Sequence, residues 1–293
     1  MIEAVQFLRV WQGARRRYYA MRYRVPEDLS LREARLAVRQ GYAKQIELED
    51  RRRKGPAPEN KIVAPAENKT VRVITPADMR RRMMHRRRGK APSPWRVPLE
   101  WEGQTAVVIG GGPSLTAEAV AFVRDKAKVI AVNDAYRLAP WAHVLYACDL
   151  KWWTWHPEAV AFAGLKVTHS KIAAQDFAGL RWMPCDSRAP GLSTNAEKLH
   201  CGKNSGYQAV NLAYLLGARR IVLLGFDMRR INNAGHWFGE HPDRIRSSYG
   251  PWLKTFETVA AQCAELGLTI INATPGSALR CFPQQSIESV FAN

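Results

Sequence analysis

Three consecutive glycines and a proline follow a run of apolar residues in the segment VVIGGGPSLT, residues 107–116. Glycine lets a backbone turn with positive φ, and a ligand can approach closely because no Cβ atom stands in the way. A helix that begins directly after such a turn presents backbone N–H groups that bind anions. The segment matches neither the GxGxxG nor the GxxxxGK(S/T) motif. We therefore expect a phosphate or nucleotide cradle here, with a purely structural strand-to-helix corner as the alternative.

Polar residues also follow the other apolar runs of the chain. In an open parallel sheet, ligands bind beyond the carboxyl ends of the strands, so these positions are where a site would form. For any single position, an ordinary polar loop is the alternative. Together the positions predict a polar cleft, and their residues are Asn133, Asp134, Asp149, His169, Ser170, Asp227 and Asn272.

The elements that must position these residues alternate between strands and helices. Strand-like apolar runs occupy residues 105–109, 128–132, 143–148, 166–169, 219–225 and 268–272. Helical windows lie between several of them, in TAEAVAFVRD, SGYQAVNLAYLLG and PWLKTFETVAAQCAELG. Nearly continuous apolar strands are typical of a parallel sheet covered on both faces. The predicted fold class is α/β, a doubly wound, mostly parallel, Rossmann-like sheet spanning residues 96–293.

The region before this domain is strongly basic. Residues 1–95 hold 24 Lys and Arg against 10 Asp and Glu, whereas residues 96–293 hold 20 against 16. We expect a small basic α+β module over residues 1–48 and a Pro- and Arg-rich linker over 49–95, with a helix beginning near Pro76. Such a segment binds nucleic-acid phosphates or an acidic protein surface, with a merely solvated basic face as the alternative. It shows no base-reading motif.

Cysteine usage and hydropathy bear on the cellular compartment. Five cysteines without a CxxC pair argue against a disulfide framework and against a four-ligand zinc site, so we expect reduced thiols, with a metal-ligand fragment at His200-Cys201 as the alternative. No stretch reaches the roughly 18 apolar residues of a membrane span, and no apolar leader segment follows the first methionine. The sequence therefore predicts a soluble protein of the cytoplasm.

Four motifs carry a resemblance to known families. They are GGGPSLT, AVNDAYRL, NSGYQAVNLAYLLGARRIVLLGFDM and LTIINATPGSAL, which fall within residues 104–283. In order and spacing they resemble the bacterial sialyltransferases of glycosyltransferase family 42, and the related MptE-like (DUF115) Rossmann proteins that many tailed phages encode. The first 45 residues or so also resemble small basic modules at the start of some phage head proteins.

The resemblance implies a cytidine nucleotide sugar (CMP-sugar-like) as donor substrate, with no tightly bound cofactor. In the sialyltransferases the glycine turn, a following asparagine and the SG motif contact the nucleotide. An amide suits a base edge or ribose, and a helix N-terminus suits an oxyanion. For Asn133 alone, a turn-capping role is the alternative. With the strand-end carboxylates included, the candidate nucleotide-binding residues are Gly110, Gly111, Gly112, Pro113, Ser114, Asn133, Asp149, Ser205, Gly206 and Asp227.

This chain differs from the sialyltransferases at their catalytic positions. The sialyltransferases carry two tyrosines that bind the leaving phosphate, and here the first falls at Arg229 and the second close to Gly235-His236. Their catalytic histidine lies just before the helix that leads into the last strand, where this chain reads SSYGPW. The nearest substitutes are His236 and His241, so the candidate catalytic residues are Arg229, His236 and His241.

Each histidine also has a plainer interpretation, in which it is exposed or stacks on Trp237 in its loop. A His-x4-His pair can hold a metal ion, but the sequence offers no obvious third ligand, so we expect no metal site. The run DLKWWTWHP, residues 149–157, also has two interpretations. Trp152, Trp153 and Trp155 either stack on a sugar or base, or pack a loop against the core, and we favour packing.

Two functions follow from these observations. The first is a nucleotide-sugar-dependent transferase of the inverting sialyltransferase type, encoded by a phage and acting in the host cytoplasm. The alternative is a non-catalytic virion or assembly protein of a tailed phage. In that case the Rossmann domain serves as a scaffold, and the basic N-terminal segment docks onto phage structural proteins or nucleic acid.

Overall fold

The computed structural model describes residues 91–241 and 247–292, together with the backbone of five short strands near the N-terminus. The chain divides into two compact units, Met1–Val71 and Arg72–Asn293. The helix predicted to begin near Pro76 lies outside the described residues. The two predicted boundaries between the three domains stay predictions.

The first unit contains antiparallel strands. Strand β1 pairs with both β4 and β5, and β2 pairs with β3. Their bounds are Ala4–Phe7 (β1), Trp11–Gln12 (β2), Arg17–Tyr18 (β3), Arg22–Arg24 (β4) and Ala43–Ile46 (β5).

The second unit is built on a seven-stranded sheet with the order β10-β9-β8-β7-β6-β13-β14. Every neighbouring pair in it is parallel, which confirms the predicted doubly wound α/β class. The strands are Thr105–Ile109 (β6), Lys128–Val132 (β7), Val144–Tyr146 (β8), Leu165–Thr168 (β9), Leu180–Trp182 (β10), Arg220–Leu224 (β13) and Thr269–Asn272 (β14). A separate parallel pair joins Cys185–Asp186 (β11) to Leu199–His200 (β12).

Helices cover both faces of the sheet. They are Ala117–Phe122 (α1), Leu150–Trp155 (α2), Lys171–Asp176 (α3), Ser205–Leu215 (α4), Tyr249–Gln262 (α5) and Ile287–Val290 (α6). Two short 3₁₀ turns, Asn133–Arg137 and Pro157–Ala161, follow β7 and α2. Helix α4 is apolar on nearly its whole circumference, and it is buried along most of its length against the sheet.

Successive residues of each central strand belong to different cores. Val108 and Ile130 pack with α4 and α5 on one face, while Val107 and Val129 pack with α1, α2 and α6 on the other. All four side chains are fully buried. This two-sided burial is the reason that the strands read as unbroken apolar runs in the sequence.

The tryptophan run forms helix α2. Trp152 and Trp153 are buried, and their indole N–H groups donate to Asp134 Oδ2 and to the carbonyl of Ala147, each at 3.0 Å. The packing interpretation is thus confirmed for these two residues. Trp155 is only partly buried and lines the main cavity described below.

The expectation that all five thiols are reduced is wrong for one pair. Cys185 and Cys201 form a disulfide with a Cα–Cα distance of 5.4 Å, across 16 residues of sequence. The parallel pairing of β11 with β12 brings the two cysteines together, which their spacing does not reveal. Cys148, Cys263 and Cys281 are free. Within the described residues, no helix has the length and apolar character of a membrane span.

Candidate functional site

The sheet has its topological switch point between β6 and β13. From β6 the chain proceeds through β7, β8, β9 and β10 on one side, and β13 and β14 lie on the other side. Connections that leave neighbouring strands in opposite directions open a crevice beyond their carboxyl ends. A cavity of about 650 Å³ lies at this position, a size typical of small-molecule sites.

The glycine corner at the end of β6 differs from the expectation. None of Gly110, Gly111 and Gly112 has positive φ, whereas Gly225, at the end of β13, has φ 72°. A Cβ atom on Gly110 would lie 2.7 Å from the carbonyl oxygen of Gly225, and one on Gly112 would lie 2.6 Å from the same atom. Glycine is therefore needed at these two positions because two backbones approach each other, not because the turn is left-handed.

The amides of this corner are largely bonded within the protein. The N–H of Gly110 donates to Leu224 O at 2.7 Å, and that of Gly112 donates to Gly225 O at 2.8 Å. The carbonyl of Gly111 accepts from the N–H of Trp237 at 3.2 Å. All three glycines line the cavity, but the predicted cradle of glycine amides is wrong for Gly110 and Gly112.

The two helix N-termini named by the sequence face different cavities. Ser114 and Thr116, which precede α1, line a second cavity of about 410 Å³. Ser205 and Gly206, the first residues of α4, line the main cavity. The Asn204 side chain caps α4 by accepting from the N–H of Tyr207 at 3.0 Å. The expected anion site at the helix after the glycine turn is therefore not part of the main cavity, whereas the one at Ser205-Gly206 is.

Asp227 holds the corner in place. Both carboxylate oxygens accept from the N–H of Ser114, at 3.3 and 3.4 Å, so the carboxylate joins the end of β13 to the turn after β6. Burial raises the pKa of Asp227, while the bond from Ser114 and the charge of Arg229 oppose that shift. Asp227 lines the main cavity, but much of its bonding capacity serves the protein itself.

Among the described residues, cationic groups outnumber carboxylates around the main cavity. Lys151, Lys203 and Arg229 line it, together with Asp149 and Asp227. Lys203 adopts φ 57° directly before the cap of α4. Lys151 lies 5.8 Å from the centre of the Trp155 ring. This distribution favours an anionic ligand with its charge near the start of α4.

Asn133 lies where its amide can serve a ligand. It lines the cavity at the end of β7 and adopts φ 51°, a left-handed conformation that asparagine tolerates better than most residues. The cap of the 3₁₀ turn that follows is Val132, without a side-chain cap bond. The turn-capping role considered for Asn133 is therefore absent from this part of the structure.

His236 and His241 belong to an aromatic cluster at the cavity. His236 stacks on Phe238 with 4.9 Å between ring centres, and His241 stacks on Trp155 at 5.7 Å. The two imidazoles contact each other edge to face at 4.7 Å. Both Nδ1 atoms are buried without a hydrogen-bond partner among the described residues. The plainer interpretation, stacking on Trp237 or full exposure, is wrong for both.

Burial makes both imidazoles poor proton acceptors. It lowers the pKa of His236 to about 4, with a further contribution from the nearby His241. It also lowers the pKa of His241. Both rings are neutral at pH 7, and a bound anion would raise both pKa values.

Several cavity residues were not identified from the sequence. Tyr249 occupies the start of α5, where the sialyltransferase pattern places a histidine, and its buried hydroxyl has no partner among the described residues. Lys203 lies beside the recognised SG motif, and Cys148 ends the recognised third apolar run. The sequence did contain a signal for Lys203 and Cys148, because each lies beside a residue that was predicted to belong to the site.

Three of the strand-end residues do not contribute to the cavity. Asp134 accepts from Trp152 and pairs with Arg137 at 3.1 Å. Ser170 caps α3, and Asn272 donates to the carbonyl of Leu279 at 3.0 Å. Their polar groups satisfy the protein's own backbone and side chains. The remaining predicted residues, apart from Ser114, line the main cavity.

Fold and cavity together define a Rossmann-like α/β protein with a cavity at its topological switch point, where cationic side chains outnumber carboxylates among the described residues. No protein-family model matches the chain, and no curated protein matches it. The resemblance to the family 42 and MptE-like proteins therefore stays a prediction.

One similar solved structure is that of the MAf glycosyltransferase from Magnetospirillum magneticum AMB-1. The TM-score is 0.47 at 14% sequence identity, over 69% of this chain and 36% of that protein's chain. This chain thus corresponds to about a third of that protein's length.

Replacing Gly110 by alanine should destabilise the protein, because the added methyl group would meet the Gly225 carbonyl at 2.7 Å and the backbone there must move. We expect a loss of about 1–3 kcal/mol in the free energy of unfolding, measured by urea denaturation. Gly250→Ala is the matched control, since Gly250 lies in α5 and no atom of the described residues lies within 4 Å of the added Cβ. Equal stabilities of the two variants would contradict the proposed close approach.

The protein should lose stability as the pH falls from about 6.5 to about 4. In that window the unfolded chain protonates His236, whose ordinary pKa is 6.5, whereas the folded chain resists protonation until about pH 4. A single such group contributes a slope of up to about 1.4 kcal/mol per pH unit, and this stability is fully present above pH 6.5. His236→Gln should flatten the dependence in urea unfolding at pH 7, 6 and 5; an unchanged slope would show that His236 is not buried as described.

Proposed function

We propose that the Arg72–Asn293 unit is a glycosyltransferase domain that binds a nucleotide sugar in the switch-point cavity. One observation carries the proposal: the cavity joins the N-terminus of a long helix, with cations beside it, to a wall of aromatic rings. A nucleotide sugar requires both features, because it has a charged phosphate and flat or weakly polar groups on either side.

The phosphate is assigned to the start of α4. The N–H of Tyr207 is bonded to Asn204, so those of Ser205 and Gly206 are the first-turn donors available to a ligand. Lys203 and Arg229 line the same cavity and supply charge-assisted hydrogen bonds. The arginine stands where the sialyltransferase pattern has a phosphate-binding tyrosine.

The base and the sugar are assigned to the other side of the cavity. Trp155 and Phe238 offer ring faces, and the Asn133 amide offers a donor and an acceptor for a base or ribose. The motif resemblance favours cytidine as the base and a sialic-acid-like sugar, and hence a CMP-sugar as donor.

Transfer would follow an inverting course. The acceptor hydroxyl oxygen attacks the anomeric carbon, the bond from that carbon to the phosphate oxygen breaks, and the phosphate leaves with the electron pair. His236 or His241 takes the hydroxyl proton, since each ring has a free Nδ1 among the described residues. The anionic donor raises the pKa of either imidazole, so that it becomes a better base only when substrate is bound.

Calorimetric titration of the protein with CMP tests donor binding. We expect saturable binding, weakened about tenfold by Lys203→Ala and by Arg229→Ala, because each removes a charge-assisted contact with phosphate. Arg181→Ala, an exposed arginine outside the cavity, is the matched control and should bind as the unaltered protein does. The absence of heat and of a thermal shift with every nucleoside monophosphate tested would contradict the proposed function.

A second function is favoured by the position of the basic charge. The first 95 residues hold 24 of the 44 Lys and Arg, so they form a docking segment suited to nucleic-acid phosphates or acidic proteins. We propose this as the alternative: an assembly or virion protein of a tailed phage, in the host cytoplasm or the particle, whose Rossmann-like domain is a scaffold.

Deleting residues 1–90 separates the two functions. The deletion removes the basic segment and leaves the chain from Ala91 onward, where the described part of the second unit begins. For the enzyme, CMP affinity should change less than twofold while retention on heparin falls sharply, because phosphate binding resides in the cavity. If CMP does not bind before or after deletion and only polyanion binding is lost, the scaffold function stands.

A further inference from the structure

Three potential metal ligands meet at the carboxyl ends of β8 and β9. Cys148 and Asp149 follow β8, and His169 follows β9. One ligand atom from each residue lies within 4.8 Å of the other two. The strands are parallel neighbours, so these ends share one edge of the sheet, and all three residues line the main cavity.

The donor set selects the kind of ion. A thiolate, an imidazole and a carboxylate together suit zinc and similar borderline-soft ions, whereas magnesium and calcium prefer oxygen ligands alone. Three protein ligands leave a fourth position for a water or a substrate oxygen, which is the arrangement of catalytic rather than structural zinc sites. Because the set lines the cavity, that position is accessible to a ligand there.

Neighbouring groups hold the ligands in place. The hydroxyl of Ser205 donates to the sulfur of Cys148 at 2.8 Å. The hydroxyl of Thr168 donates to the carbonyl of Cys148 at 3.2 Å, and the indole of Trp182 donates to the carbonyl of His169 at 3.0 Å. Hydrogen bonds of this kind orient metal ligands and raise metal affinity.

The local electrostatics suit a cation. Cys148 is 7% exposed, and a carboxylate oxygen of Asp149 lies within 4.8 Å of its sulfur. A divalent ion compensates two negative ligands at once, so it would relieve the unfavourable pairing of a buried thiolate with a carboxylate.

We propose that Cys148, Asp149 and His169 bind one zinc-class divalent ion whose open coordination position faces the cavity and takes a phosphate oxygen. The metal site stands without the proposed function; only the phosphate ligand rests on it. The geometry thus assigns a metal to a chain whose sequence predicts none. The ligands that follow β8 lie 20 and 21 residues before His169 and show no familiar spacing, so the fold alone brings the three residues together.

The experiment must distinguish this site from other groups in the cavity that can bind a metal ion. His236 and His241 are in ring contact, and the disulfide cysteine Cys201 also lines the cavity. Either could capture a metal ion added in the laboratory, Cys201 after reduction. The test therefore uses the full chain and reports the chemical identity of the ligands, not only the amount of metal bound.

Cobalt(II) titration of the full-length protein, with a non-thiol reductant, is that test. We expect one ion per chain, a near-ultraviolet thiolate-to-cobalt band and a tetrahedral visible spectrum. Cys148→Ala should abolish the thiolate band and weaken binding at least tenfold, and His169→Ala should weaken it similarly. Ser205→Ala should keep the band with affinity reduced about tenfold. Cys281→Ala, a free thiol outside the described cavities, is the matched control and should change nothing.

Specific outcomes would overturn the metal site. They are no cobalt binding, an unchanged thiolate band in Cys148→Ala, or loss of the band in Cys185→Ala/Cys201→Ala. Loss of cobalt binding in His236→Ala/His241→Ala with full binding in His169→Ala would overturn it too. Should Cys148→Ala not fold, as judged by circular dichroism, the exposed Asp149 provides the variant: Asp149→Asn should keep the band and lose affinity at least tenfold.

Adding CMP to the cobalt protein tests the phosphate ligand. A change in the visible spectrum on CMP binding, absent with cytidine, would show a phosphate oxygen in the open position. If CMP binds without altering the spectrum, the phosphate assignment is overturned while the metal site and the proposed function stand. If CMP does not bind although cobalt does, the proposed function fails and the metal site remains.

Discussion

The close approach of two backbones at the ends of β6 and β13 is the constraint on which the site depends. Gly110 and Gly112 each lack a Cβ atom where the Gly225 carbonyl lies, and their amides bond to the last residues of β13. These contacts continue the pairing of β6 with β13 up to the switch point. Beyond the switch point the two segments of the chain diverge. One continues to α1 and the other to the loop that contains His236, and the cavity lies between them.

The same arrangement explains why different parts of the cavity have different chemistry. Helix α4 is buried against the sheet, so only its first turn, with Lys203 before it, reaches the ligand space. The aromatic wall comes from α2 and from the loop after β13, which stack Trp155 on His241. A charged end and a flat, weakly polar end are thus supplied by separate elements that the central strands hold together.

Polar residues after strands divide into two kinds, which sequence cannot distinguish. Asp134 and Asn272 are bonded to groups of the protein, as is Asp227 in part. Asn133 and Asp149 line the cavity instead. The difference depends on whether a hydrogen-bonding partner within the protein occupies the space in front of the side chain. Residue type is the same in both cases, and so is the position relative to the strand.

The sequence by itself determined six of the seven strands of the sheet and thirteen of the residues that line the cavity. Two-sided burial forces unbroken apolar runs, so β6 and β7 were predicted to the residue, and the carboxyl ends of parallel strands share one edge. Tertiary structure alone decided the role of the glycines, the disulfide of Cys185, and the meeting of Cys148 with His169. Each depends on atoms from segments remote in sequence, whose distance is set by strand order and packing rather than by any local preference.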